Sequence, residues 1–174
     1  RWLSYLLPEY RQVNNPHTVE RNCFYLFSGN GQPSIYSHLA NSVQEVNDIG
    51  KFDYLVICLD SEEFTVNEKL LEVQKHIEAG PSLNSKCQFK IIVQNRCIET
   101  WFLGNRKLFK RHPQDPELNT FIEFYNVMNN DPELMGIINS RETHAGFHNS
   151  YFKKMLAERG QRYSKKSPGI VSVS

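Results

Sequence analysis

The run Tyr54-Leu55-Val56-Ile57-Cys58-Leu59, closed without a break by Asp60-Ser61-Glu62-Glu63, constrains the fold more than any other stretch of this chain. It is too short for a self-burying helix and has no polar residue to give a strand one wet face. It therefore predicts a parallel strand covered on both faces by helices. The residues around it alternate as such a sheet requires. Cys23-Phe24-Tyr25-Leu26-Phe27 reads as an earlier strand, broken by Ser28-Gly29-Asn30-Gly31. From Pro33, Ile35, Leu39, Val43 and Val46 recur at helical spacing up to Gly50.

After the acidic cluster, Thr65-Val66-Asn67-Glu68 has capping-box spacing, and Leu70, Val73 and Ile77 carry a helix to Gly80-Pro81. A third strand, Phe89 to Val93, leads through Gln94-Asn95-Arg96-Cys97 into Ile98-Glu99-Thr100-Trp101-Phe102-Leu103, where Trp101 and Phe102 read as core anchors. Strand and helix in alternation predict right-handed crossovers and one parallel sheet. Beyond Gly104 the pattern is helical. Asp115-Pro116 starts a helix burying Phe121, Ile122, Tyr125 and Met128, Asp131-Pro132 starts a short one, and Phe147, Tyr151, Phe152 and Met155 mark another that ends at Gly160. Residues 1–10 read as the tail of a helix, and Ile170-Val171-Ser172-Val173 as a last strand. The expected fold is α/β, a parallel sheet flanked by helices over residues 1–104, with a helical extension over residues 105–174 and a basic loop near its end.

At 174 residues one core is the expectation. The net charge of +1 conceals an uneven distribution: nine acids against three bases from Glu45 to Glu78, five bases against one acid from Arg96 to Arg111, and seven bases against two acids from Arg141 onward. An acidic centre between basic stretches suits a site that holds cations and receives a polyanion. Cys23, Cys58, Cys87 and Cys97 form no C-x-x-C pair and suit a reducing compartment. No stretch approaches the roughly 20 apolar residues of a membrane span, and no signal core opens the chain. A cytoplasmic protein away from membranes is the expectation.

Ligands of open parallel sheets bind beyond the carboxyl ends of the strands, where Asp60, Glu62 and Glu63 fall. Three carboxylates within four residues repel unless a cation compensates, and Mg²⁺ (or Mn²⁺) takes such oxygens while keeping water for a phosphate. The bland reading is an acidic helix start favoured by the macrodipole. Glu99 follows the third strand at a similar height, where parallel pairing would bring it beside Asp60. Arg106, Lys107, Lys110 and Arg111, with Lys165 and Lys166 in the terminal loop, are candidate phosphate contacts or simply solvated bases. Ser28 to Gly31 lacks the lysine and hydroxyl of a P-loop and reads as a turn. His144 and His148 have the spacing of two zinc ligands but no accompanying glutamate or cysteine, so surface histidines are the expectation.

The segment Phe52-Asp53-Tyr54-Leu55-Val56-Ile57-Cys58-Leu59-Asp60-Ser61-Glu62 resembles the strand carrying D-x-D or D-x-E that defines Toprim domains. Gln94-Asn95-Arg96-Cys97-Ile98-Glu99-Thr100-Trp101-Phe102-Leu103 is similar to the N-x-C-x-E-x-W-x-L segment of RloB-like and related Toprim-like proteins of the overcoming-lysogenisation-defect (OLD) nuclease kind. The resemblance covers roughly Cys23 to Leu103. It implies a Toprim/Rossmann-like fold and a Mg²⁺-dependent nuclease, of the sort found in phage-defence systems alongside a partner protein or as a homo-oligomer. On it, Asp60 and Glu62 are metal ligands, Glu63 joins them, Glu99 is a catalytic acid nearby and Lys165 a catalytic phosphate contact. Toprim domains also carry a glutamate after a first strand, and neither Glu9 nor Glu20 occupies that place. Two expectations follow: the acid lies upstream of Arg1, or the chain is an inactive relative that binds protein or nucleic acid.

Overall fold

The computed structural model describes Leu3, residues 6–29, Gly31 and residues 33–164. The expected last strand at Ile170 to Val173, Trp2, Lys165 and Lys166 lie outside the described residues. The chain divides into two compact units, residues 1–59 with 67–93, and residues 60–66 with 94–174. The acidic cluster belongs to the second unit, with the segment that carries Glu99.

In the first unit, strands β1 (Arg11–Val13) and β2 (Cys23–Tyr25) pair in parallel, Arg11 opposite Cys23. The 3₁₀ turn Pro16–Thr18 lies between them, its Asn15 side chain accepting from the His17 N–H. Helix α1 (Ser34–Ile49) ends where Gly50 takes φ 64°, a left-handed C-cap that glycine adopts without Cβ strain. Strand β3 (Tyr54–Asp60), helix α2 (Val66–Ala79) and strand β4 (Gln88–Gln94) follow, and β3 pairs with β4. Gln88 N–H donates to Asp53 O at one end and Ser61 N–H to Gln94 O at the other, so the two strands run parallel. Leu39, Val43 and Val46 of α1, Leu55, Ile57 and Leu59 of β3 and Val73 of α2 form the core of this unit.

Two sequence expectations are corrected here. Among the described residues the strands form two separate two-stranded sheets, not one, because β2 pairs with the unforeseen strand β1. β3 is also not buried on both faces: Leu55, Ile57 and Leu59 face inward while Tyr54 and Val56 stay about half exposed. An all-apolar sequence erases the period-two signal that marks a one-sided strand.

The second unit is helical. Helix α3 (Ile98–Leu103), helix α4 (Pro116–Phe124), the 3₁₀ turn Pro132–Leu134 and helix α5 (His144–Ala157) pack around Phe102, Leu103, Leu118, Phe121, Met135, Phe147, Tyr151, Phe152 and Met155. Asp115 caps α4 by accepting from the Glu117 and Leu118 N–H groups, and Asp131 accepts from Glu133 N–H. The short helix expected at Asp131-Pro132 is therefore a single 3₁₀ turn. Phe121 is buried as expected, with Ile122, Tyr125 and Met128 packed partly buried against the same core, although Met128 lies beyond the helix. Lys154 of α5 binds both Asp115, at 2.9 Å, and Glu117, at 2.6 Å.

Candidate functional site

β3 delivers Asp60 half-buried, and the chain then turns sharply. Ser61 is fully buried; its N–H donates to Gln94 O (2.9 Å) and its Oγ accepts from Arg96 N–H (2.8 Å). Glu62 N–H returns a bond to Arg96 O, at 2.9 Å. The Arg96 Nη1 donates to Glu62 O and Phe64 O, at 3.2 and 3.4 Å. Glu62 and Arg96 both sit in the left-handed region, at φ 54° and 62°. Such a conformation costs a non-glycine residue about 1–2 kcal/mol and persists only where its surroundings hold it. Two strained residues on facing segments, cross-linked by a buried serine, hold the acidic turn in one shape.

Glu63 points to helix α5. One carboxylate oxygen accepts from the His144 N–H and the other meets His144 Nδ1, both at 2.7 Å. Burial works against the Glu63 charge, but these bonds, with the positive ends of His144 and Arg96 nearby, hold its carboxyl below the ordinary range. The carboxylate acts as a cap on the first turn of α5, beside Thr143, which accepts from Gly146 N–H.

Glu99, in the first turn of α3, is wholly buried and accepts a hydrogen bond from the Tyr163 hydroxyl at 2.9 Å. The Tyr163 phenol is pushed upward, chiefly by burial and then by Glu99, with Cys97 and Asp60 adding to the shift. Of the acids, it is Glu99 that bonds this hydroxyl. Beside them, Cys97 N–H donates to Thr100 Oγ1, and Thr100 Oγ1 lies 2.8 Å from His148 Nδ1. The other nitrogen of His148 lies 3.4 Å from Met135 O. A carbonyl only accepts, so Nε2 carries the proton and Nδ1 accepts from Thr100. Burial drives the His148 pKa down to about 4 and raises that of the Cys97 thiol to about 11.

No protein-family model, curated protein or solved structure matches this chain.

The sequence-derived candidates thus fall into three groups. Asp60, Glu62, Glu63 and Glu99 lie in one unit, and Glu99 is held there by the Tyr163 hydroxyl. Among the described residues no group of three His, Cys, Asp or Glu side chains is disposed to hold a metal ion. Arg106, Lys107 and Arg111 are exposed, whereas Lys110 is ion-paired with Glu158 at 2.7 Å. The histidines are not a ligand pair and not both at the surface: His144 serves Glu63, and His148 is fully buried. Arg96 and Tyr163 escaped the sequence reading as members of the site. Arg96 was visible only as one base in a basic run, and Tyr163 is distant in sequence from every acid it touches.

Proposed function

We propose that this chain is a Toprim-like, Mg²⁺- or Mn²⁺-dependent phosphodiesterase acting on DNA or RNA, with Asp60 and Glu99 as its principal carboxylates and Glu62 beside them. The observation that carries this reading is the tie between the two acid-bearing segments: Ser61, next to Asp60, bonds Gln94 O and Arg96 N–H, at the start of the segment that leads from β4 into buried Glu99. Two carboxylates suit Mg²⁺, which commonly binds through one or two acids and completes its shell with water and substrate phosphate. They do not suit a closed protein cage such as structural zinc requires. The ion, when bound, would polarise a phosphate oxygen and prepare a water for in-line attack. This chain's part is to hold the acids still: Tyr163 orients Glu99, the Ser61–Arg96 cross-link fixes the turn after Asp60, and the His144 clamp turns Glu63 aside. Arg106, Lys107, Arg111, Lys165 and Lys166 are the proposed phosphate contacts. The same resemblance supports a cytoplasmic role in phage defence, with a partner protein or a second copy.

A second reading, a fold of this kind that binds protein or nucleic acid without cleaving it, is favoured by the acid that Toprim domains carry after a first strand, a place that neither Glu9 nor Glu20 occupies. Mn²⁺ binding by electron paramagnetic resonance, run beside strand cleavage, separates the two. Asp60→Asn and Glu99→Gln are expected to weaken Mn²⁺ binding at least tenfold and abolish cleavage, and Tyr163→Phe to weaken both less. Mn²⁺ binding that is absent, or indifferent to Asp60 and Glu99, leaves the non-catalytic reading.

A further inference from the structure

The segment from α3 to Arg111 sorts its side chains sharply. Phe102 and Leu103, then Leu108 and Phe109, enter the core of the second unit. Tight turns link the two pairs, through Gly104 N–H to Trp101 O, Asn105 N–H to Phe102 O and Leu108 N–H to Asn105 O. What stays outside is Trp101, 43% exposed, with the exposed cations Arg106, Lys107 and Arg111. Trp101 was expected to be a core anchor, and its position is the opposite of Phe102 next to it.

The local acids are already committed. Glu99 is buried against Tyr163, Glu158 binds Lys110, and Asp115 and Glu117 share Lys154. Arg106, Lys107 and Arg111 carry no ion pair among the described residues, and no aromatic ring of those residues covers Trp101. A part-exposed indole in the same short segment as exposed cations without an ion pair among the described residues is a combination that suits single-stranded nucleic acid, the ring stacking on a base and the cations following the backbone. A duplex hides its base faces and offers only the phosphates.

We propose that Trp101, with Arg106, Lys107 and Arg111, is a stacking platform for single-stranded nucleic acid. The proposal rests on the nuclease reading for its ligand class, and it specifies the strand state of the substrate.

The test uses the full chain carrying Trp2→Phe, which leaves Trp101 as its sole tryptophan. Binding is measured in chelator with an oligothymidine of about 12 nucleotides, its duplex and an abasic strand of equal charge. The expected results are quenching of Trp101 by the single strand, binding about tenfold weaker for the duplex, and no quenching by the abasic strand. Trp101→Ala should weaken single-strand binding about tenfold and Trp101→Phe should restore most of it. Replacing Arg106, Lys107 and Arg111 by Gln should lower the salt slope by about two. The proposal is overturned if the duplex binds as tightly, if Trp101→Ala binds unchanged, or if polyglutamate quenches as strongly. A parallel cleavage assay with Mn²⁺ and Asp60→Asn keeps the two ideas apart. Strand binding as described without cleavage by any form sinks the nuclease reading and sustains the platform; Asp60-dependent cleavage with Trp101→Ala binding unchanged does the reverse.

Discussion

Acidification from neutral pH must protonate a histidine that the folded chain has no means of hydrating. His148 is fully buried, its Nδ1 committed as an acceptor to Thr100 and its Nε2–H directed at Met135 O. A second proton on Nδ1 would have to displace the Thr100 hydroxyl hydrogen, with burial, His144 and Arg96 opposing the added charge and the Met135 carbonyl and Glu63 favouring it. The folded pKa falls from 6.5 to about 4. The sign follows from that depression. Above 6.5 both folded and unfolded chains hold neutral imidazole and stability is complete; between 6.5 and about 4 the unfolded chain takes the proton first and stability is lost. Each tenfold difference in proton affinity between the two states is worth about 1.4 kcal/mol, so the loss between pH 7 and pH 4.5 comes to about 2 kcal/mol. Urea unfolding followed by Trp101 fluorescence, in the Trp2→Phe background, should show the midpoint falling across this range. His148→Gln should start less stable, by about 1–3 kcal/mol for the disturbed buried bonds, but lose far less on acidification. An unchanged midpoint between pH 7 and pH 4.5 in the parent chain, or an equal loss in His148→Gln, would refute the argument.

Glu62→Gly should raise stability in urea by about 1 kcal/mol, since glycine accepts φ 54° without the steric penalty that glutamate bears; a loss would mean that the exposed Glu62 side chain has a structural task. Phe147→Ala empties a site where Phe121, Phe124 and Tyr151 all contact the ring, and should cost about 3–5 kcal/mol by the same measurement. Asp115→Ala removes the α4 cap and one partner of Lys154, and should cost about 1–2 kcal/mol, a change readable as a lower thermal midpoint. Because its folded pKa is lowered, Glu63 adds stability that is present above its unfolded pKa and lost as pH falls through the folded value. Glu63→Gln should therefore lower the midpoint at pH 7 by less than about 1 kcal/mol, the pair being partly solvent-screened, and differ little from the parent in strong acid.

Local chemistry was legible without coordinates. Gly50 ends α1 and Asp115-Pro116 opens α4 because caps and left-handed glycines act within a few residues of where they are written. The inward set of α5, Phe147, Tyr151, Phe152 and Met155, follows from helical periodicity alone. The acidic end of β3 is likewise plain in the sequence, as is its pairing with the segment that ends β4, which Ser61 bonds through Gln94 and Arg96. Tertiary packing decided the rest. A wholly apolar strand carries no record of which face will be covered, so the exposure of Tyr54 and Val56 was invisible. The burial of His148 against Thr100, the exposure of Trp101 beside buried Phe102, and the capture of Glu63 by His144 each join residues far apart in the chain, or depend on which way a short helix is turned. Sequence spacing encodes neighbours along one element; the environment that sets a side chain's charge, exposure and partner is made by other elements, and exists only once they have packed.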